Sequence, residues 1–359
     1  LLVTAAILMF YVALGGAHAD ILTDGVQGAL MLLLAVFVLY MFLSGFGVEG
    51  GFPAIIQRLH EIDPALTTVL HEENPLFNSW WDVVAIFCAH LPLGLLPHIG
   101  NKLWALKSNK DQSRFIILSF TFGLLLPAIT CGGILARVLL GDSLLAEGSN
   151  PNNAIPALFI ATLPSWVAAL IGAGVLSAVM STADGLVVSS AQIFANDIYR
   201  RTIAPRSKAK NDPELIDHTA LKISRIATVV VLIGAIGIAW GTRDMNIALL
   251  VWIGVGGMMA ATAAPLFLGI FWRRSTRAGA LGSFFVGGLV FSLLKSASID
   301  AAWFAGGPLH QAAIWLEAQA INPFACATLG SGAGIITMVV VSLLSKPLDE
   351  AHLKRVFGS

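Results

Sequence analysis

The chain has little charge. Only 12% of its 359 residues are Asp, Glu, Lys or Arg, about half the share of a soluble domain. An ordinary cytosolic enzyme is excluded on that ground. Net charge is absent too, because 21 Lys and Arg stand against 21 Asp and Glu, so no chain-wide field draws nucleic acid. Cysteine is scarce. Cys88, Cys131 and Cys326 are odd in number and far apart, which excludes a disulfide framework and a zinc-ligand spacing and leaves free thiols in apolar helices. No activated nucleophile, metal cluster or phosphate loop is legible, so no group transfer or hydrolysis is expected. A basic leader is missing as well. Ala17, His18 and Ala19 mimic a small-x-small cleavage site, but no basic region and no initiator Met precede them, and the expectation is a chain that begins inside a helix.

Apolar residues are abundant, at 57% of the chain, with a mean hydropathy of +0.81. At about 20 residues per span this fills roughly nine or ten membrane helices. Nine are expected, near residues 1–14, 20–44, 79–100, 114–140, 165–199, 220–241, 246–272, 279–298 and 324–345. The basic residues test this division. Lys102, Lys107, Lys110, Arg114, Arg200, Arg201, Arg206, Lys208, Lys210, Lys222, Arg225, Arg273, Arg274, Arg277, Lys346, Lys354 and Arg355 fall on one side, and only Arg58, Arg137, Arg243 and Lys295 on the other. Under the positive-inside rule the C-terminus is cytoplasmic and, with nine spans, the N-terminus is outside. The basic stretch from Arg200 to Lys210 then reads as a retention signal with some attraction to anionic lipid. The acidic segment 45–78 is long enough for a short surface helix, and segment 300–323, with Trp303 and Trp315, is expected at the interface.

Two spans carry residues that a membrane helix tolerates only beside a cavity or a helix contact. Span 79–100 holds His90, Pro92, Gly94 and Pro97. Each proline frees a carbonyl one turn earlier, which fits either a packing kink or the discontinuous helix found at transporter substrate sites. His90 is either a satisfied packed histidine or a hydrogen-bond donor to a solute. The helix from Trp166 to Tyr199 carries Ser177, Ala178, Ser181, Thr182, Asp184, Gly185 and Ser189. Positions 178, 181 and 182 share one face by their spacing. Small hydroxyl residues there suit close helix packing. Equally, two hydroxyls and the carbonyl of Ala178 offer three hard oxygens to a small cation such as sodium. Asp184 requires water, a partner or an ion path. Asp24, in Thr23 to Gln27, sits where a helix start would use it as a cap.

These residues resemble a family signature. Met180 to Asp184, then Ser189, Ser190, Asp197, Ile198 and Tyr199, are similar to the pattern of the solute:sodium symporters. So are Gly15 and Gly16 followed by Thr23, Asp24 and Gln27, the run Leu96 to Ile99, and Pro265 to Arg274 with Gly279 and Ala280. The resemblance runs from residue 11 to about 345. It implies an all-α integral membrane protein with an inverted-repeat, five-plus-five fold, in which residues 1–359 form a single transmembrane transporter domain. Residues 1–272 would be the fourth to tenth core helices, 279–345 two trailing helices and 346–359 a cytoplasmic tail, with the first helices missing from the N-terminal side. It implies that the Ala178 carbonyl and the Ser181 and Thr182 hydroxyls are this chain's half of a sodium site, and that Asp24 lies on the ion's cytoplasmic exit path.

The resemblance also implies sodium-coupled import of a small organic solute by alternating access at the cell membrane, with Na+ as coupling ion, no organic cofactor, the lipid bilayer and a solute as partners, and no nucleic acid. Ala89, His90, Leu93 and Pro97 are the expected substrate residues. The Leu96-Pro97-His98 stretch looks like the pantothenate, proline and monocarboxylate branches. Proline carriers place aromatics where this chain has Ala89 and Leu93, which favours a carboxylate such as pantothenate. Two alternatives stay open: a membrane input module of a signalling protein, and a sodium-independent transporter of the same fold.

Overall fold

The computed structural model describes residues 2–104, 106–146, 149–207 and 212–358; within them the side chains of 2–5, 8, 9, 11–20, 101, 104, 151 and 178 are outside the described set. Among the described residues the chain is helical, without strands. The α-helices are, in order, α1 (Leu2–Ser44), α2 (Gly51–Ile62), α3 (Trp80–His90), α4 (Pro97–Trp104), α5 (Asn109–Leu125), α6 (Cys131–Leu140) and α7 (Ala154–Thr162). They continue with α8 (Ser165–Gln192), α9 (Pro213–Gly241), α10 (Ile247–Phe271), α11 (Arg277–Lys295), α12 (His310–Ala318), α13 (Pro323–Leu344) and α14 (Glu350–Phe357). Local chemistry sets several of the starts. Asn246 caps α10, Thr276 caps α11 and Asn322 caps α13, each accepting from backbone N–H groups of the first turn.

Among the described residues, seven stretches are long and apolar enough to cross a membrane: Ile21–Ser44, Asn109–Leu144, Ser165–Arg206, Pro213–Gly241, Ile247–Phe271, Arg277–Lys295 and Pro323–Leu344. Trp80–Leu95 is a shorter apolar helix. The expected first span is not separate from the second, because residues 2–14 and 20–44 lie in one helix. Helix α1 runs unbroken for 43 residues, about 65 Å of helix against a hydrocarbon core of about 30 Å. Gly15 and Gly16 weaken a helix by roughly 1 kcal/mol each but do not end one, and no proline follows them. Asp24 therefore lies inside a helix and caps nothing, contrary to the sequence expectation.

The proline-rich span does break. After α3, residues Leu91–Leu95 tighten into a 3-10 turn, Leu96 is extended at φ −63°, ψ 139°, and Pro97 opens α4. Proline forces its predecessor out of the helical region and suits the first turn of the next helix.

The chain divides into two compact units, residues 1–61 with 97–245, and residues 62–96 with 246–359. In the first, Leu34, Val38 and Met41 of α1 form a buried core with Ile55 of α2, Leu135 of α6 and Phe159 of α7. The buried side of α2, Ile55 and Leu59, explains why the 45–78 segment carries a helix. The second unit packs α10, α11 and α13 at backbone contact. A Cβ on Gly287 would overlap the Ala260 carbonyl, and one on Gly279 would overlap the Ser342 hydroxyl, which is the small-residue packing that membrane helices use.

A polar seam ties α3 to α12 and α13 within that second unit. Asp82, 5% exposed, closes a capping box with Ser79 and accepts from Asn322 Nδ2 at 2.9 Å. Thr328 Oγ1 donates to the Ala85 carbonyl at 2.9 Å, and Trp81 Nε1 to Gln319 Oε1 at 2.7 Å. Trp315 is packed on Trp81 with ring centroids 5.3 Å apart, while Trp303 is exposed.

Candidate functional site

The hydroxyl-bearing stretch of α8 lies in the middle of a long apolar helix, where a side-chain oxygen needs a reason to be present. Ser181 has one. Its hydroxyl donates to Asp24 Oδ1 on α1, and Lys102 Nζ on α4 donates to Asp24 Oδ2. Three helices thus meet on one carboxylate. A carboxylate only accepts, so the serine proton points at Asp24 and the oxygen keeps its lone pairs. Donation to an anion makes that oxygen more negative, which improves it as a ligand for a hard cation.

The surroundings of this pair are built for it. Gly185, one turn beyond Ser181, faces α4: a Cβ there would stand 3.6 Å from both His98 Cβ and Lys102 Nζ. Asp184 is fully buried. Gln27, one turn from Asp24 along α1, and His98, one turn from Lys102 along α4, each bury a polar atom without a hydrogen-bond partner among the described residues (Oε1 and Nδ1). Unsatisfied buried polar atoms are costly and few in native proteins. Two of them flanking one ion pair fit a place that a mobile ion or solute visits.

Thr182 is exposed, turned away from the Asp24 contact by the 100° step along the helix. The side chain of Ala178 lies outside the described residues; its backbone is helical. A helical carbonyl accepts one N–H and retains a second lone pair. The polar atoms that positions 178, 181 and 182 can offer are oxygens only, the donor type that a hard cation takes, and no group of three or more His, Cys, Asp or Glu that could hold a metal occurs among the described residues.

The substrate residues expected from the broken span divide between the two units. Ala89, His90 and Leu93 belong to the second, whereas Pro97 opens α4 in the first. Ala89 is 3% exposed and packed among Ala260, Phe291 and Phe324. Leu93 is half-buried in the 3-10 turn. His90 is exposed, and its Nδ1 lies 2.6 Å from the Ile86 carbonyl. A carbonyl only accepts, so Nδ1 is the donor in that bond and Nε2 is the ring nitrogen left over. The ring stacks with Trp252 at 4.3 Å and Phe324 at 5.8 Å between centroids. An open groove of 470 Å³ elsewhere in the second unit is lined by Gly257, Met258, Phe284, Phe285 and Leu289, chemistry suited to an acyl chain and not to a polar solute.

Lys102 is the residue that sequence reasoning missed. Its position along the chain groups it with the cytoplasmic loop cations, yet it lies five residues past Pro97, just beyond the expected span 79–100 and inside α4. The one signal available was a cation close behind a helix interruption.

Comparison with known proteins supplies the context for these contacts. A family model described as the sodium:solute symporter family matches residues 1–287. The sodium/pantothenate symporter of Haemophilus influenzae is 27% identical over 297 residues, covering 79% of this chain and 57% of that protein. The sodium/pantothenate symporter of Escherichia coli is 28% identical over 306 residues, covering 84% and 59%. The sodium/proline symporter of Staphylococcus aureus is 28% identical over 295 residues, covering 81% and 54%. The chain spans a little over half the length of these relatives.

Proposed function

Because the chain belongs to the sodium:solute symporter family, we propose that it is the greater part of a sodium-coupled transporter that imports a small organic carboxylate. The protein is a multi-pass, all-α membrane protein, a transporter and not an enzyme. Sodium binds through the Ala178 carbonyl and the Ser181 and Thr182 hydroxyls, and Asp24 receives it on the way to the cytoplasm. The observation that carries this reading is the bond from Ser181 to Asp24: it joins the hydroxyl face of α8 to a charged group. Helix packing alone explains a serine beside small residues, but not a serine held to a carboxylate that is also ion-paired.

Solute entry is driven by the ion gradient. One sodium ion moving inward at −100 mV supplies about 2.3 kcal/mol before its concentration term. Binding of sodium on α8 favours the outward-open form, the solute docks beside the broken span, and reorientation releases both inside. Pantothenate or a short monocarboxylate fits best. Two of the similar proteins are sodium/pantothenate symporters, and Ala89 and Leu93 stand where proline carriers are aromatic. The 17-to-4 sidedness of the basic residues supports a cytoplasmic C-terminus in the cell membrane.

Uptake of labelled pantothenate, lactate and proline by the full-length protein in vesicles tests the reading, with sodium replaced by choline in parallel. Sodium-dependent uptake of a carboxylate of net negative charge, pantothenate or lactate, in preference to zwitterionic proline is expected. Uptake that is indifferent to sodium refutes the coupling, and preferential uptake of proline refutes the substrate class.

A further inference from the structure

We propose that Lys102 is the tethered counter-ion of Asp24 and sets how tightly sodium is held at Ser181. The proposal rests on the reading that sodium binds at Ser181 and Thr182, and adds a residue which that reading leaves without a part.

Asp24 has two oxygens and both are engaged, Oδ1 by the Ser181 hydroxyl and Oδ2 by the Lys102 ammonium. The pair is partly withdrawn from water, with the Lys102 side chain 33% and the Asp24 side chain 18% exposed, so its charges are screened less than those of a surface ion pair. With the ammonium in place the carboxylate is neutralised. A sodium ion beside Ser181 then meets hydroxyl and carbonyl dipoles, and the full anion is held one bond away. That is weak enough binding for release. Gly185 leaves the backbone of α8 open toward the ammonium, and Pro97 starts the helix that brings it there.

Opposite signs follow. Removing the ammonium leaves Asp24 uncompensated next to the ion's ligand, and sodium is held more tightly. Removing the carboxylate leaves an ammonium without its anion beside the same ligand, and sodium is repelled. Removing both returns a neutral pair. A lysine that merely braced α4 would give damage of one sign in every case.

Equilibrium binding of radioactive sodium to the purified full-length protein, with choline holding ionic strength constant, needs no knowledge of the solute. Lys102→Met is expected to lower the half-saturating sodium concentration about tenfold and Asp24→Asn to raise it by a similar factor, the size of one partly screened charge. The double variant is expected within about threefold of the wild type, and Lys102→Arg, which keeps the charge, is expected to preserve wild-type binding. Lys102→Gln stands in where the methionine variant does not fold. The proposal is overturned if neutralising Lys102 weakens sodium binding or leaves it within about twofold. Thr182→Ala, measured alongside, separates the two levels. If it weakens binding while the lysine variants change nothing, the counter-ion role falls and the sodium site stands. If Thr182→Ala and Ser181→Ala both leave sodium binding unchanged, the site reading itself is wrong and the counter-ion role goes with it.

Discussion

Removal of the Asp82 side chain is expected to loosen the anchorage of the broken span. Asp82 accepts from Ser79 N at 3.1 Å and from the Ser79 hydroxyl at the start of α3, and from Asn322 Nδ2 at 2.9 Å at the start of α13. Asp82→Ala deletes the reciprocal half of a capping box, which costs about 1 kcal/mol. It also strands the Asn322 amide, 2% exposed, and an unsatisfied buried donor costs about 1–3 kcal/mol. The sum is roughly 2–4 kcal/mol, or an apparent melting midpoint lower by about 3–5 °C for a chain of this length. Tryptophan fluorescence of the detergent-solubilised protein reads this directly, since Trp80 and Trp81 open α3. The decisive measurement is the cycle with Asn322→Ala. If the two side chains act as one link, the double variant is little worse than the worse single, with a coupling of at least about 1 kcal/mol. Strict additivity, or a midpoint within about 1 °C of the wild type for Asp82→Ala, refutes the link.

Ser181→Ala and Thr182→Ala are each expected to raise the sodium concentration for half-maximal uptake by about tenfold or more, each removing one ligand oxygen; unchanged values in both leave only a packing role. Ala89→Leu is expected to destabilise by about 1–3 kcal/mol through overpacking against Phe324 and Phe291, so thermal stability falls before substrate preference changes, whereas Leu93→Phe is expected to shift the ratio of pantothenate to proline uptake with sodium dependence unaltered; the reverse pattern overturns both placements. Gly287→Val is expected to abolish folded protein on size-exclusion chromatography, because its side chain must displace the Ala260 carbonyl, while Gly234→Val, with open space around it, folds normally.

The seven long apolar stretches were legible because spanning a membrane demands about 20 apolar residues in a row, a requirement each segment meets alone. Three helix starts carry a local signal that the sequence expectation did not use: Asn246, Thr276 and Asn322 act on their own first turns. Two prolines and a glycine after His90 left a kink and a break equally open, and the structure has the break. The first boundary was misread. A glycine pair, an acid and a small-x-small run resemble a loop in composition, yet nothing among them forbids helical dihedrals, so α1 continues through. Substrate residues were hardest. Proximity to a helix break places a residue near a site along the chain but does not say which way its side chain turns, and Ala89 turned into the core.

What the sequence determined by itself is therefore local or summed: a membrane protein by its scarcity of charge, the order of its spans, the hydroxyl face of α8 by helical periodicity, and the family by the blocks from Met180 to Tyr199 and Pro265 to Arg274. What only the tertiary structure decided is which of its few charges meet. Asp24 pairs with Lys102 across 78 positions and with Ser181 across 157, separations no periodicity reaches. Charge counting had used Lys102 as a marker of sidedness, a property of where along the chain a cation falls. Its bond to Asp24 depends on α1, α4 and α8 packing side by side, and in an apolar, weakly screening environment that placement converts a loop cation into part of the candidate ion site.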